Sequence, residues 1–211
     1  MNLKKLLAAT ALVAALPAQA ALTMDAGALV NANVNGFDAF DAYSTTGPEA
    51  IGGGVTFTGD DGSVLGAYIA DLGTNGLWGL GNVFAATGAI GELRFTFDSL
   101  TSGAGALVNH YELSDLFPFA VVVSAYGDNN QIIETYTVSV DTDEYGFNEG
   151  TFLGIIREHA DIRSIAFKGN AVVVDDLSFT TPVPEPETYA MLLAGLGMIG
   201  AVARRRRDIR R

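Results

Sequence analysis

The chain contains no cysteine. That absence excludes disulfide staples, thiolate metal sites and a thiol nucleophile together, so stability has to come from packing or bound ions. Positive charge is almost as scarce away from the ends. Of 12 Lys and Arg, Lys4 and Lys5 stand near the start and Arg204, Arg205, Arg206, Arg207, Arg210 and Arg211 near the finish. Only Arg94, Arg157, Arg163 and Lys168 remain for residues 21–181, against 21 of the 24 acids, a formal charge of −17. Such a surface repels phosphate backbones and anionic lipid, which excludes nucleic acid as a partner. Histidine is limited to His110 and His159, neither in an H-E-x-x-H spacing, and no serine sits in a G-x-S-x-G elbow. Paired carboxylates would suffice for a glycosidase, but among 21 acids some pair always falls at a workable separation, so their presence is no evidence.

The two ends carry the strongest patterns. Met1 to Lys5 supply positive charge, Leu6 to Leu16 an apolar run, and Pro17-Ala18-Gln19-Ala20 a helix break with an A-x-A cleavage site, the layout of a secretory signal. The run is too short to span a bilayer, so residues 1–20 read as a signal peptide handled by the Sec machinery and signal peptidase, with the mature chain starting at Ala21. At the other end Val183-Pro184-Glu185-Pro186-Glu187-Thr188 leads into an apolar stretch from Tyr189 to Ala203 and then four consecutive arginines. The prolines keep the linker extended, the apolar stretch predicts a membrane-inserted helix, and the arginines stay cytoplasmic by the positive-inside rule. Fifteen helical residues reach roughly 23 Å, short of a hydrocarbon core of about 30 Å, which suits a temporary stop in the inner membrane. Gly195-Leu196-Gly197-Met198-Ile199-Gly200 spells G-x-G-x-x-G, but the chain ends 11 residues later, without the βαβ unit and acidic residue of a dinucleotide site.

Pro184-Glu185-Pro186, the Gly-rich apolar segment and Arg204 to Arg207, in that order, resemble the PEP-CTERM family of bacterial sorting signals. The resemblance covers roughly the last 30 residues. It implies recognition by an exosortase, a membrane-embedded cysteine transpeptidase-like protease. It further implies removal of the tail and delivery to the surface or matrix of a Gram-negative cell that makes exopolysaccharide and biofilm. Asp208, Ile209, Arg210 and Arg211 extend past the arginine block as a small departure from the pattern.

Between the signals, residues 21–181 read as one all-β domain and 182–211 as the sorting segment. Leu93, Phe95 and Phe97 alternate with Arg94, Thr96 and Asp98, and Tyr136, Val138 and Val140 with Thr135, Thr137 and Ser139, as strands with one wet face do. Phe119 to Tyr126 and Ala171 to Phe179 suit interior strands, and Gly59-Asp60-Asp61-Gly62 and Gly127-Asp128-Asn129-Asn130 supply turns. Strands are expected near Leu29, Phe37, Val55, Leu65, Leu93, Val108, Val122, Thr137, Ile165 and Val174, with a short helix over Ile155 to Asp161. The pattern predicts an antiparallel β-sandwich, a jelly roll. Phe152 to Ile156, Ile162 to Phe167 and Val172 to Phe179 also resemble the closing strands of carbohydrate-binding-module-like jelly rolls.

Three places in this domain invite a site. Strand alternation sends Asp175 and Asp176 to opposite faces, one of them toward the side buried by Leu177 and Phe179, where a carboxylate needs a partner or a cation. Either that acid meets a backbone amide or water at the end of the strand, or Asp25, Asn31 and Asp38 complete a structural calcium site around it. Asp141-Thr142-Asp143-Glu144-Tyr145-Gly146 opens like a calcium loop, but Phe152 stands where an EF-hand needs Glu, so a solvated turn is expected. Trp78, the only tryptophan, lies in a glycine-rich stretch that leaves two readings: packing under its own loop, or exposure for stacking on a sugar ring with Tyr68 and Tyr111 as helpers. These readings converge on a non-enzymatic surface or matrix protein that either binds glycan in the exopolysaccharide layer or self-associates there. The alternative is a secreted, carboxylate-dependent glycoside hydrolase acting on that matrix.

Overall fold

The computed structural model describes residues 21–113, 120–181 and 195–196. The signal peptide, the Pro184-Glu185-Pro186 linker and the arginine cluster lie outside the described residues, as does all but Gly195 and Leu196 of the apolar helix. Among the described residues no helix is long and apolar enough to cross a membrane.

Residues 21–181 form two antiparallel sheets from fourteen strands: β1 (Ala21–Thr23), β2 (Ala32–Asn35), β3 (Tyr43–Ser44), β4 (Glu49–Gly52), β5 (Val55–Thr58), β6 (Val64–Asp71), β7 (Leu77–Ala86), β8 (Gly91–Thr101), β9 (Gly103–Asn109), β10 (Val121–Tyr126), β11 (Ile132–Val138), β12 (Thr151–Ile156), β13 (Ile162–Gly169) and β14 (Val173–Thr180). Sheet A runs β1-β12-β9-β14-β7-β6-β3, with β2 added on β14, and sheet B runs β11-β10-β13-β8-β5-β4. From β7 onward the chain crosses between sheets at every connection except the β10–β11 hairpin. That hairpin closes through Gly127, whose N–H donates to Gln131 O at 2.9 Å.

Alternation decides what each strand buries. Leu93, Phe95 and Phe97 point into the main core while Arg94, Thr96 and Asp98 face outward. Phe95 sits at the centre of this core, its ring 5.8 Å from Phe37, 5.7 Å from Phe57 and 6.3 Å from Phe167. A second, smaller cluster of Leu72, Trp78, Phe84 and Val173 is separate from the main one. Val173 and Val174 are adjacent on β14 yet belong to different clusters, so the smaller one packs on the other face of sheet A.

Eight of the ten expected strands are present, and β1, β2, β3, β4, β7 and β12 are added to them. Leu29 and Phe37 are buried without being strands. Leu29 caps the 3₁₀ turn Ala26–Ala28, and Phe37 adopts φ 62° in the loop after β2 and plugs the core from there. The helix expected over Ile155 to Asp161 does not form. Ile155 and Ile156 complete β12, and Arg157 reaches Asp161 through two 2.7 Å bonds across a bend. Truncating Phe95 to Ala should cost about 3–5 kcal/mol, read as a lowered midpoint in denaturant unfolding with an unchanged slope.

Candidate functional site

The acidic corner forms where β2 leaves sheet A. Asn35 donates to Ile51 O at 2.8 Å and accepts from the Phe37 N–H at 3.1 Å, an Asx turn that swings Asp38 back toward β14. On β14 the alternation breaks between Asp175 and Ser178, where the pairing with β9 shifts register and Asp176 takes φ 49°. This bulge corrects the expectation that one carboxylate faces the side of Leu177 and Phe179. Asp175 is buried on the opposite face, level with Leu107, and Asp176 is turned out to solvent. The bulge spares the main core an unpaired carboxylate, which would cost several kcal/mol on the order of its lost hydration.

Asp175 is 3 % exposed and fully engaged, accepting from Asn82 Nδ2 at 2.7 Å and from the Asp176 N–H at 2.8 Å. A side chain added at Gly36 would meet Asp38 Oδ2 at 3.2 Å, Asp176 Oδ1 at 3.9 Å and Asp175 Oδ1 at 4.0 Å, so three carboxylates converge there. Burial pushes the Asp175 carboxyl up to about 6; its two hydrogen bonds oppose the rise, and the charges of Asp176 and Asp38 add to it. Asp25 and Asn31 are not brought to this corner. Asp25 accepts from the Gly27 N–H at 2.9 Å to cap the 3₁₀ turn. Asn31 lies past the Ala32–Thr180 pair, at the far end of the β2–β14 ladder from Asp176, roughly 15 Å away at about 3.3 Å per residue. No group of three or more His, Asp or Glu among the described residues is arranged to hold a metal ion.

Trp78 is fully buried, which decides for packing and against the exposed stacking ring. It packs 6.0 Å from Phe84, and the neighbouring glycines serve close approach rather than mobility: a side chain at Gly79 would stand 2.1 Å from Tyr68 O. Tyr68 is 58 % exposed on β6, and Tyr111 is half-buried after β9 with its N–H on Asn170 O at 3.0 Å.

The 141–149 loop is a turn, as expected. Asp143 accepts from the Tyr145 N–H at 2.8 Å and its own carbonyl from Gly146 at 2.8 Å. It is anchored by a buried amide network absent from the sequence-based reading. Asn75 donates to His110 O at 3.2 Å and Val140 O at 3.0 Å, while Asn109 donates to Asn75 O at 3.2 Å and Glu149 O at 2.8 Å. Thr142 closes the network onto both ends of Asn75. Its signal in the sequence is only two asparagines in apolar surroundings. His110 lies beside it, fully buried, with Nδ1 3.1 Å from Tyr111 O. Sequence reasoning also missed an open polar groove of about 450 Å³ whose lining includes Thr58, Asp60, Ile90, Glu92, Arg94 and Lys168.

The chain thus joins a two-sheet β domain to a terminal signal, the build of a sorted surface protein. Residues 182–207 match the PEP-CTERM protein-sorting motif. The motif implies processing by an exosortase, and export through the membrane toward the cell surface. No curated protein matches the chain. Among solved structures it is similar to the K2 cleaved adhesin domain of Lys-gingipain (Kgp), with 13 % identity and a TM-score of 0.42, over 72 % of this chain and 99 % of that one, a likeness too slight to carry an argument.

Two measurements check this geometry. Trp78 fluorescence should resist iodide quenching until the protein unfolds, since the ring has no solvent contact. Because the folded-state value of Asp175 lies above the ordinary 3.8, its protonated form favours folding. That contribution is fully present below about pH 4 and lost as pH rises through about 6, a change of about 2–3 kcal/mol. The difference in unfolding free energy between Asp175→Asn and the parent should therefore vary with pH across that window and level off above it.

Proposed function

We propose that the protein is a non-catalytic component of the surface or extracellular matrix of a Gram-negative cell. In this reading it is a jelly-roll module released by an exosortase into an exopolysaccharide layer, whose glycan it binds. The sorting motif at 182–207 carries the reading, because it commits the chain to export and to a processing event that separates body from tail. The strand order supports the jelly-roll assignment. Strands β7 to β14 fall into two four-strand sets, β12-β9-β14-β7 and β11-β10-β13-β8, with the first and last strands of the series paired side by side and the chain alternating between sheets. The passage itself runs from signal peptidase cleavage after Ala20, through a transient stop in the inner membrane, to cutting near Pro184-Glu185-Pro186.

The body's acidity suits this destination, keeping the domain soluble and off anionic lipid while the tail is held at the membrane. Intact-mass measurement of the protein recovered from the medium tests the route. The expected species begins at Ala21 and lacks everything from Tyr189 onward; a species keeping the arginine cluster would mean an anchored protein instead. Assaying the same material for binding and for release of reducing ends separates a binding module from a hydrolase. Binding without turnover is expected, and turnover abolished by a single carboxylate substitution would replace this reading with the enzymatic one.

A further inference from the structure

We infer that the open groove beside the Gly59–Asp60 turn is a binding site for a segment of neutral polysaccharide. The inference rests on the glycan-binding reading above and adds to it the place of binding and the charge class of the sugar.

The body has four cations, and they divide into two pairs. Arg157 is bound to Glu134 at 2.8 Å and Asp161 at 2.7 Å, and Arg163 to Asp128 at 2.6 Å with two carbonyls besides. Arg94 and Lys168 both line the groove, and among the described residues neither makes an ion pair, although Asp60 and Glu92 line it with them. Lys168 stands directly across from Glu92 on the β13–β8 ladder, and Arg94 lies two residues further on the same face.

Two of these side chains, Arg94 and Asp60, are held by hydrogen bonds in the folded protein. The Arg94 guanidinium lies 3.7 Å over the Tyr126 ring, donates from Nε to Ser164 Oγ at 2.9 Å, and reaches Asn130 through Nη2. Asp60 accepts the Glu92 N–H through Oδ2, and Gly91 admits that carboxylate, since a side chain there would stand 2.7 Å from Oδ2. That contact holds Glu92 by its backbone and leaves its carboxylate unbonded. The hydrogen-bonding capacity left over is therefore one Asp60 oxygen, the Glu92 carboxylate, Arg94 Nη1 and the Lys168 ammonium, two acceptor groups and two donor groups around one groove.

The charges select the ligand. Two acids and two cations sum to zero in a body of formal charge −17, so the groove is locally balanced within an acidic field. A polyanion meets Asp60, Glu92 and that field, a cation meets Arg94 and Lys168, and an apolar ligand would strip water from four charges without replacing it. Sugar hydroxyls both donate and accept, so an uncharged saccharide satisfies both kinds of group at once. Ile90, 77 % exposed at the rim, offers an apolar contact for the C–H face of a ring. The volume of about 450 Å³ falls in the range usual for small-ligand sites, and the pinned Arg94 and Asp60 side chains reduce the ordering cost of binding.

The secreted protein, purified from the medium, is titrated calorimetrically with cellohexaose, laminarihexaose, mannohexaose and maltohexaose, and with polygalacturonate. Saturable binding of at least one neutral hexaose is expected, with no binding of polygalacturonate. Lys168→Gln and Glu92→Gln should each weaken it about fivefold or more, with melting temperature unchanged because neither side chain makes a bond in the folded protein. Tyr68→Ser should have no effect. Hexaose binding that survives both groove substitutions, or is lost in Tyr68→Ser alone, overturns the groove while leaving the glycan-binding reading standing. Preference for polygalacturonate overturns the neutral class, and no binding of any sugar overturns groove and reading together.

Discussion

Strand β14 holds sheet A together. It pairs with β9 along one edge, and divides its other edge between β7 at Val173 and Val174 and β2 from Leu177 to Thr180. Without it the sheet separates into β1-β12-β9 on one side and β7-β6-β3 on the other, each exposing an unpaired edge and an uncovered apolar face. The strand ends at Thr180, two residues before the sorting motif begins at 182. The domain therefore closes only when nearly the whole body has cleared the membrane. The strand order thus makes closure of sheet A the last step available to a chain that emerges from its N-terminal side first.

That same strand carries the chain's most costly buried group. The bulge at Asp175 and Asp176 keeps both carboxylates out of the main core and lets β14 pass from β7 to β2 as its partner. Asn82 and the Asp176 N–H supply what Asp175 needs, yet its raised pKa records that the compensation is incomplete. Elsewhere a domain without disulfides spends its polar burial on amides. Asn75 and Asn109 bind backbone from three separate segments, 35 and 65 residues apart in the case of Asn75, and fix the loops that cover the Trp78 cluster. Satisfied amides specify one arrangement at little electrostatic cost, which suits an acidic body with few cations to spare.

What the sequence revealed follows from the range of the interactions. Strands with strict alternation, such as Leu93-Phe95-Phe97, were legible because period-two burial is local. Strand β7 was not, because Gly79 and Gly81 read as loop; in the fold they take φ values of 126° and 105° where the β6–β7 pairing bends. The glycines beside Trp78 left exposure open as a reading for the same reason, since glycine signals flexibility in a sequence and close backbone approach in a fold. Leu29 and Phe37 show the reverse, apolar residues that serve the core from irregular backbone.

The contrast between tail and body has a physical origin. The sorting motif is contiguous over 182–207, so its Pro-Glu-Pro, apolar and arginine segments can be read as a string. The groove is assembled from Asp60, Glu92, Arg94 and Lys168, and the acidic corner from Asp38, Asn82, Asp175 and Asp176, residues joined only by strand register. Period-two alternation placed Arg94 on a wet face without saying what stood across from it. The register that sets Lys168 opposite Glu92 depends on every turn and bulge between them, including those where glycine misleads. A site whose parts meet only through such a register acquires its chemistry when the sheet closes, and no local stretch of sequence carries it.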